Sequence, residues 1–397
     1  MKNWNQKGNK KITVIAFVIG IVSFLFQITL IWTLRPFTPD GIHFQAWSSE
    51  TLMQTIALED LYTSPLETLW NIHIQPPALD AIRAVLVHIW PSTNPLVSIA
   101  HVDILLYGVW SLLFGLMGAL IFMWMYELTE LKVAIVTSIA FVLHPASIYY
   151  ATYLDTSFLS TLLITFMYYS LWRVSRNPNE SFRMSSLVVL LLLFTRSLFQ
   201  WPFMLLFGAS LSLVGMKRRN VMAFIMITLA VFGLYLFKQN QKFGLFSTSS
   251  FTGLNLSRAA GVSEALPNYW VYLDGKSDVR TDSDLPKVLT RIKKASSTPN
   301  FNHIDYLALN QQFIDLFLEY IQATPVNQLA ANYLENLELY LLPSSKHSPH
   351  VIVDRLPWRS AYDKVFSSPI FVILFVLAGL AVLKEAIETR QLIRYIG

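Results

Sequence analysis

The chain has 397 residues, of which 54% are hydrophobic and only 14% charged, with a net charge of +5 and no cysteine. Soluble domains carry about 25% charged residues, so this composition describes a polytopic membrane protein and excludes an ordinary soluble enzyme. The cations gather at span ends without a basic stripe of interleaved aromatics, which excludes a nucleic-acid surface. Absent cysteine excludes a disulfide framework, a thiolate metal site and a cysteine nucleophile.

Lys2, Lys7, Lys10 and Lys11 precede an apolar run over 12–34, long enough to cross a bilayer at about 20 residues per span. The lysines hold its start in the cytoplasm. No small-residue cleavage site follows a short apolar core, so the run is expected to be a retained anchor. It delivers Thr38-Pro39-Asp40-Gly41-Ile42-His43-Phe44 to the far membrane surface.

The loop 35–95 contains a Pro76-Pro77 helix start followed by Leu79, Ile82, Leu86 and Ile89, with Asp80 and Arg83 opposite that stripe. A helix lying along the membrane surface is expected there. Further spans follow over 104–126, 133–150 and 157–172, the last two separated by an outer turn with His144-Pro145 and Asp155. The runs 184–195 and 197–216 turn at Thr195-Arg196-Ser197, and 221–237 and 365–383 complete eight spans. Both ends are then cytoplasmic, and Lys132, Arg173, Arg176, Arg183, Lys217, Arg218, Arg219, Lys384, Arg390 and Arg394 all fall inside. Loop 35–95 holds only Arg35 and Arg83 against six carboxylates. The expected organisation is a transmembrane domain over 1–237, an outer, periplasmic segment over 238–368, and the last transmembrane helix with a cytoplasmic tail over 369–397. The outer segment offers a Leu273-Asp274-Gly275 turn, a polar stretch to 302, and two amphipathic helices. One uses Leu309, Phe313, Phe317 and Tyr320; the other uses Leu329, Tyr333, Leu337 and Tyr340.

A carboxylate at the membrane surface suits a general base for an acceptor hydroxyl or amine, which makes Asp40 the first candidate. A Thr-Pro-Asp-Gly turn is the alternative for the same residue. Asp155 is a carboxylate beside apolar segments, hence a functional candidate, or the N-cap of the following span through Asp155-Thr156-Ser157. Arg196 interrupts an apolar stretch near the outer surface. It suits the phosphate of a lipid-linked donor by bidentate pairing, or it snorkels to headgroups. Arg258, in Gly253-Leu254-Asn255-Leu256-Ser257-Arg258, is a weaker candidate of that kind, and His101 and Asp103 read as interfacial. His43 and His73 share the first outer loop with Asp40, but their spacing has no metal-ligand pattern, so neither a metal nor another cofactor is expected. A phosphate-cradling glycine loop, a Gly-x-Ser-x-Gly elbow and a His-Glu-x-x-His motif are all missing.

These elements resemble the GT-C membrane glycosyltransferases, in particular the protein O-mannosyltransferases and the bacterial aminoarabinose transferases. Pro39-Asp40-Gly41-Ile42-His43-Phe44 is similar to the mannosyltransferase Asp-Glu followed by His-Phe, with Gly41 where that family has Glu. His73-Ile74-Gln75-Pro76-Pro77 resembles its His-Pro-Pro element, and Leu143-His144-Pro145 through Tyr153-Leu154-Asp155 is similar to the segment around its second outer Asp. The likeness covers roughly residues 12–237. It implies an all-α polytopic fold, a polyprenyl-phosphate-linked sugar donor, an Asp base and inverting transfer to a lipid, glycan or protein acceptor on the outer face of the inner membrane. Asp40 is then catalytic, Arg196 or Arg258 holds the departing phosphate, and His43, His73 and Asp155 line the sugar or acceptor site. Gly41 removes the paired acid and any metal assistance that depends on it. The rival readings are a non-catalytic envelope-assembly protein on the same frame, and a transporter or flippase of lipid-linked sugars.

Overall fold

The computed structural model describes residues 6–34, 37–38, 41–42, 48–177, 182–260, 285–341 and 356–366, and among them the chain is a helical membrane protein. Three helices are long and apolar enough to cross a membrane: α1 (Gln6–Leu34), α5 (Pro95–Leu128) and α11 (Arg218–Phe243). A bent pair, α6 (Leu131–Leu143) with α7 (Pro145–Thr152), counts as a fourth crossing if taken as one span. Before α5 the loop that the sequence places outside, named the outer loop for that expectation, holds α2 (Leu58–Thr63), α3 (Pro65–Trp70) and α4 (Ala78–Ile89). After α7 come α8 (Thr156–Arg176) and the shorter apolar helices α9 (Phe182–Thr195) and α10 (Trp201–Leu213). The segment 238–368, named the outer segment for the same expectation, contributes α12 (Thr252–Ala259), α13 (Lys287–Thr290), α14 (Tyr306–Ala323), α15 (Val326–Leu341) and α16 (Arg359–Phe366). Two-residue strands β1 (Phe37–Thr38) and β2 (Gly41–Ile42) pair antiparallel just past α1. The apolar run at 365–383 lies almost wholly outside the described residues.

The expected span over 133–150 is broken, and the cause is local. Pro145 has no N–H and its ring would strike the carbonyl of residue 141, so a helix cannot continue through it. His144 restarts the chain by accepting the Ala146 N–H at 3.2 Å on Nδ1. The axis turns by 55°. α11 runs on to Phe243, beyond the expected boundary at 237, and stops where Gly244 adopts φ +66°, a left-handed cap natural to glycine.

α1 lies along α5 because glycines let the two backbones meet. A Cβ at Gly115 would sit 2.6 Å from the Gly20 carbonyl oxygen, so only glycine permits this approach. Small residues at such contacts are the usual means by which membrane helices associate. One apolar core joins this pair to the outer loop and to Phe251, Phe301 and Tyr306 of the outer segment. A second core holds α8, α9, α10 and α11 together.

One expectation for the outer loop is corrected. Leu79 and Leu86 of α4 are buried as the stripe requires, but Asp80 and Arg83 on the opposite side are buried as well, while Ile89 is exposed. The helix packs on α2 and α5 and touches α9, so its polar side is covered too, while Val85 and Ile89 stay exposed. The expected helix over 309–320 is α14, where Leu309 and Phe313 are buried. It presses so closely on α12 that a Cβ at Gly253 would meet the Asn310 carbonyl oxygen at 2.3 Å. The helix expected over 329–340 is α15.

Candidate functional site

The helix ends that face the outer loop are tied to one another. The Asp103 carboxylate near the start of α5 accepts the Ser49 N–H at 3.2 Å. Gln239 of α11 donates to the Ile72 carbonyl at 3.0 Å, Gln200 before α10 donates to Thr248 at 2.8 Å, and the Trp358 indole before α16 donates to the Leu143 carbonyl at 2.8 Å. Tyr362 of α16 meets His144 at the break between α6 and α7. Loop 48–94 and the described parts of the outer segment therefore share one side of the bundle.

The joint between them is a buried polar lattice. Arg83 donates to Asp80 at 2.6 Å, to Glu50 at 2.6 Å and to the Ile56 carbonyl at 2.7 Å. Each carboxylate is also used elsewhere: Glu50 accepts the Leu58 N–H that opens α2 at 3.2 Å, and Asp80 accepts the Ile56 N–H at 3.2 Å. Burial alone would lower the Arg83 pKa, but the two carboxylates outweigh it and the guanidinium is held charged. Lys294, from the outer segment, caps the lattice through the Leu52 and Thr55 carbonyls at 2.7 and 2.9 Å. Burial pulls its ammonium down to about 8, against the attraction of Glu50. Nearby, Arg291 grips Asp60 with two nitrogens at 2.9 and 2.7 Å.

His73 belongs to this joint. It is fully buried, its Nε2 lies 3.0 Å from the Asn302 carbonyl and its Nδ1 lies 2.8 Å from the Ser250 hydroxyl. A carbonyl only accepts, so Nε2 carries the proton and Nδ1 receives the Ser250 hydroxyl. Burial pushes the imidazole down to about 3, more than its contact with Asn302 raises it, and the ring is neutral. The expected sugar- or acceptor-site residue is thus placed inside a structural seam, with both ring nitrogens occupied.

A second node lies where α8 begins and α9 ends. Asp155 is the N-cap of α8: it accepts the Ser157 N–H at 2.7 Å and the Ser157 hydroxyl at 2.7 Å. The same Ser157 oxygen accepts from the Arg196 guanidinium at 2.9 Å. Burial raises the Asp155 carboxyl above its ordinary range, while Ser157 and the charge of Arg196 pull it back. The structure brings together two of the six residues singled out from the sequence, Asp155 and Arg196, through a serine that sequence reasoning passed over. The Asp-Thr-Ser cap was the available signal for Ser157. Tyr149 and Tyr153 stack beside this node with ring centres 5.6 Å apart.

Arg258 is exposed on α12, near its C-terminal end. Asp40 and His43 lie outside the described residues. Among the described residues no three His, Cys, Asp or Glu side chains form a group that could hold a metal ion. No family model, no curated protein and no solved structure matches the chain.

Proposed function

We propose that this chain is a GT-C-like membrane glycosyltransferase that moves a sugar from a polyprenyl-phosphate donor to an envelope acceptor on the outer face of the inner membrane. The observation that carries the reading is the Asp155–Ser157–Arg196 node. Arg196 is exposed at the rim of apolar helices and is steadied by one bond to Ser157, which leaves guanidinium donors for the two oxygens of a phosphate. In the proposed step Asp40 takes the proton of the acceptor hydroxyl or amine. The freed electron pair attacks the anomeric carbon, and the bond to the lipid phosphate breaks with inversion. The phosphate leaves with the electron pair of the broken bond, and Arg196 balances its charge as it develops. His43 adjoins Asp40 in sequence and would line the acceptor. The reading takes the apolar helices, the bent pair and the run at 365–383 as eight spans with both termini cytoplasmic.

A specific observation favours a non-catalytic envelope-assembly role as the second reading. The buried carboxylates Glu50, Asp60, Asp80 and Asp103 on the loop side all hold the loop in place, which leaves the chemistry to Asp40. The Asp40→Asn variant separates the two. Asn occupies turns and caps about as well as Asp, whereas loss of a general base costs about 10²–10⁴ in rate. Catalysis predicts normal expression and melting with transfer nearly abolished, and a polyprenyl-phosphate sugar accumulating in the lipids of cells carrying the variant. Full complementation by Asp40→Asn with an unchanged lipid profile would move the assignment to the assembly role.

A further inference from the structure

At the end of α11 that faces loop 48–94, Lys238 carries its charge where the described residues supply no counter-charge. The residue is only 7% exposed. Its ammonium donates to the Trp70 carbonyl at 3.0 Å and lies 4.6 Å from the Tyr235 ring and 5.5 Å from the Trp70 ring. An ammonium has three donors, and among the described residues no carboxylate takes the others. Lys242, one turn further on, donates to Asn71 at 2.7 Å and likewise has no acidic partner among the described residues. Like charges four residues apart on a helix repel, and a buried unpaired cation is costly; the rings offset only part of that. The site asks for an anion.

Its surroundings say what kind. On the membrane-crossing helix, Leu234 and Phe237 are exposed. On the loop side, Leu66 and Trp70 of α3 are exposed, as is Phe246 just beyond α11. A soluble anion makes no use of apolar surface on both flanks of a cation pair, whereas a lipid does. We propose that Lys238 and Lys242, beside Trp70, bind the phosphodiester of an anionic glycerophospholipid whose acyl chains lie along Leu234 and Phe237. Bound there, the lipid clamps α3 to the outer end of α11. The proposal is independent of the transfer reaction, since it involves neither Asp40 nor Arg196.

The test uses the full chain purified in detergent and titrated with phosphatidylglycerol, phosphatidylcholine or inorganic phosphate, read by thermal melting and by native mass spectrometry. Phosphatidylglycerol should raise Tm and stay bound, and phosphatidylcholine should do so far less. Lys242 is exposed, so Lys242→Gln should fold normally, with a lipid-free melt matching wild type. It should bind phosphatidylglycerol about fivefold more weakly, as expected for one lysine at an anionic surface, and Lys242→Arg should restore binding. Equal stabilisation by phosphatidylcholine, or unchanged phosphatidylglycerol binding in Lys242→Gln, overturns the proposal. A shift produced equally by inorganic phosphate overturns the lipid assignment in favour of a soluble anion.

Discussion

Ser157 serves two partners at once, closing the N-terminus of α8 with Asp155 and steadying Arg196 from 39 residues away. If Arg196 receives a lipid phosphate, Arg196→Lys keeps the charge but loses the planar fork, and transfer should fall sharply with folding unchanged. Full activity and unchanged donor affinity in both Arg196→Lys and Arg196→Gln would reduce the residue to an interfacial anchor. His73 makes a different prediction. Its folded value near 3 lies below the ordinary 6.5, so the unfolded chain binds the extra proton first as pH falls. The stability its neutral ring contributes is complete above pH 6.5 and is lost progressively between 6.5 and 3, at about 1.4 kcal/mol per pH unit. Thermal melts of wild type and His73→Gln should therefore converge as pH drops from 7 to 5; parallel curves would mean that His73 charges freely in the folded state. At this scale the sequence was partly legible. The Asp155 cap followed from Asp-Thr-Ser, a local pattern, but the seam partners Ser250 and Asn302 lie 177 and 229 residues from His73, and no spacing rule reaches that far.

At the scale of elements, hydropathy located the apolar helices because a bilayer demands length and composition, both of which are written locally. It failed at α4 for a physical reason. Periodicity reports a helix with one buried stripe, whereas Asp80 and Arg83 are buried as a paired set completed by Glu50 and Lys294 from other parts of the chain. The Asp80-x-x-Arg83 spacing was the available hint. Such a lattice is unforgiving when one member is removed. Arg83→Met leaves two carboxylates buried without their cation, and a loss of about 3–5 kcal/mol is expected. Limited proteolysis should then cut the outer segment sooner than in wild type, because Lys294 and Arg291 hold it to the same loop. Unchanged cleavage in Arg83→Met would show that the loop and segment are joined by other means. The α1–α5 contact makes a parallel case: Gly115→Leu cannot be accommodated against Gly20 and should lower the yield of folded protein, whereas glycine at position 108 has open space around its Cα and should tolerate Ala.

For the whole molecule, the decisive fact is which surfaces share a side. Hydrogen bonds from Ser49 to Asp103, from Gln239 to Ile72 and from Trp358 to Leu143 tie loop and segment to the same helix ends, and the Arg291 ion pairs with Glu59 and Asp60 join them directly. The sequence had placed loop 35–95 outside by a different argument, its scarcity of cations, and segment 238–368 on the same side by the order of the spans. Native absence of cysteine makes the point testable with single introduced thiols. Glu67 and Lys287 are exposed on the loop and segment, and Ser175 is exposed near the far end of α8. Glu67→Cys and Lys287→Cys should both react with a membrane-impermeant maleimide in spheroplasts, while Ser175→Cys should react only after lysis. The comparison separates two claims. If Glu67 and Lys287 are labelled together but only on lysis, the fold is right and the orientation in the membrane is reversed. If one is labelled and the other protected, the loop and the segment lie on opposite sides, and the shared outer face on which the proposed transfer depends does not exist.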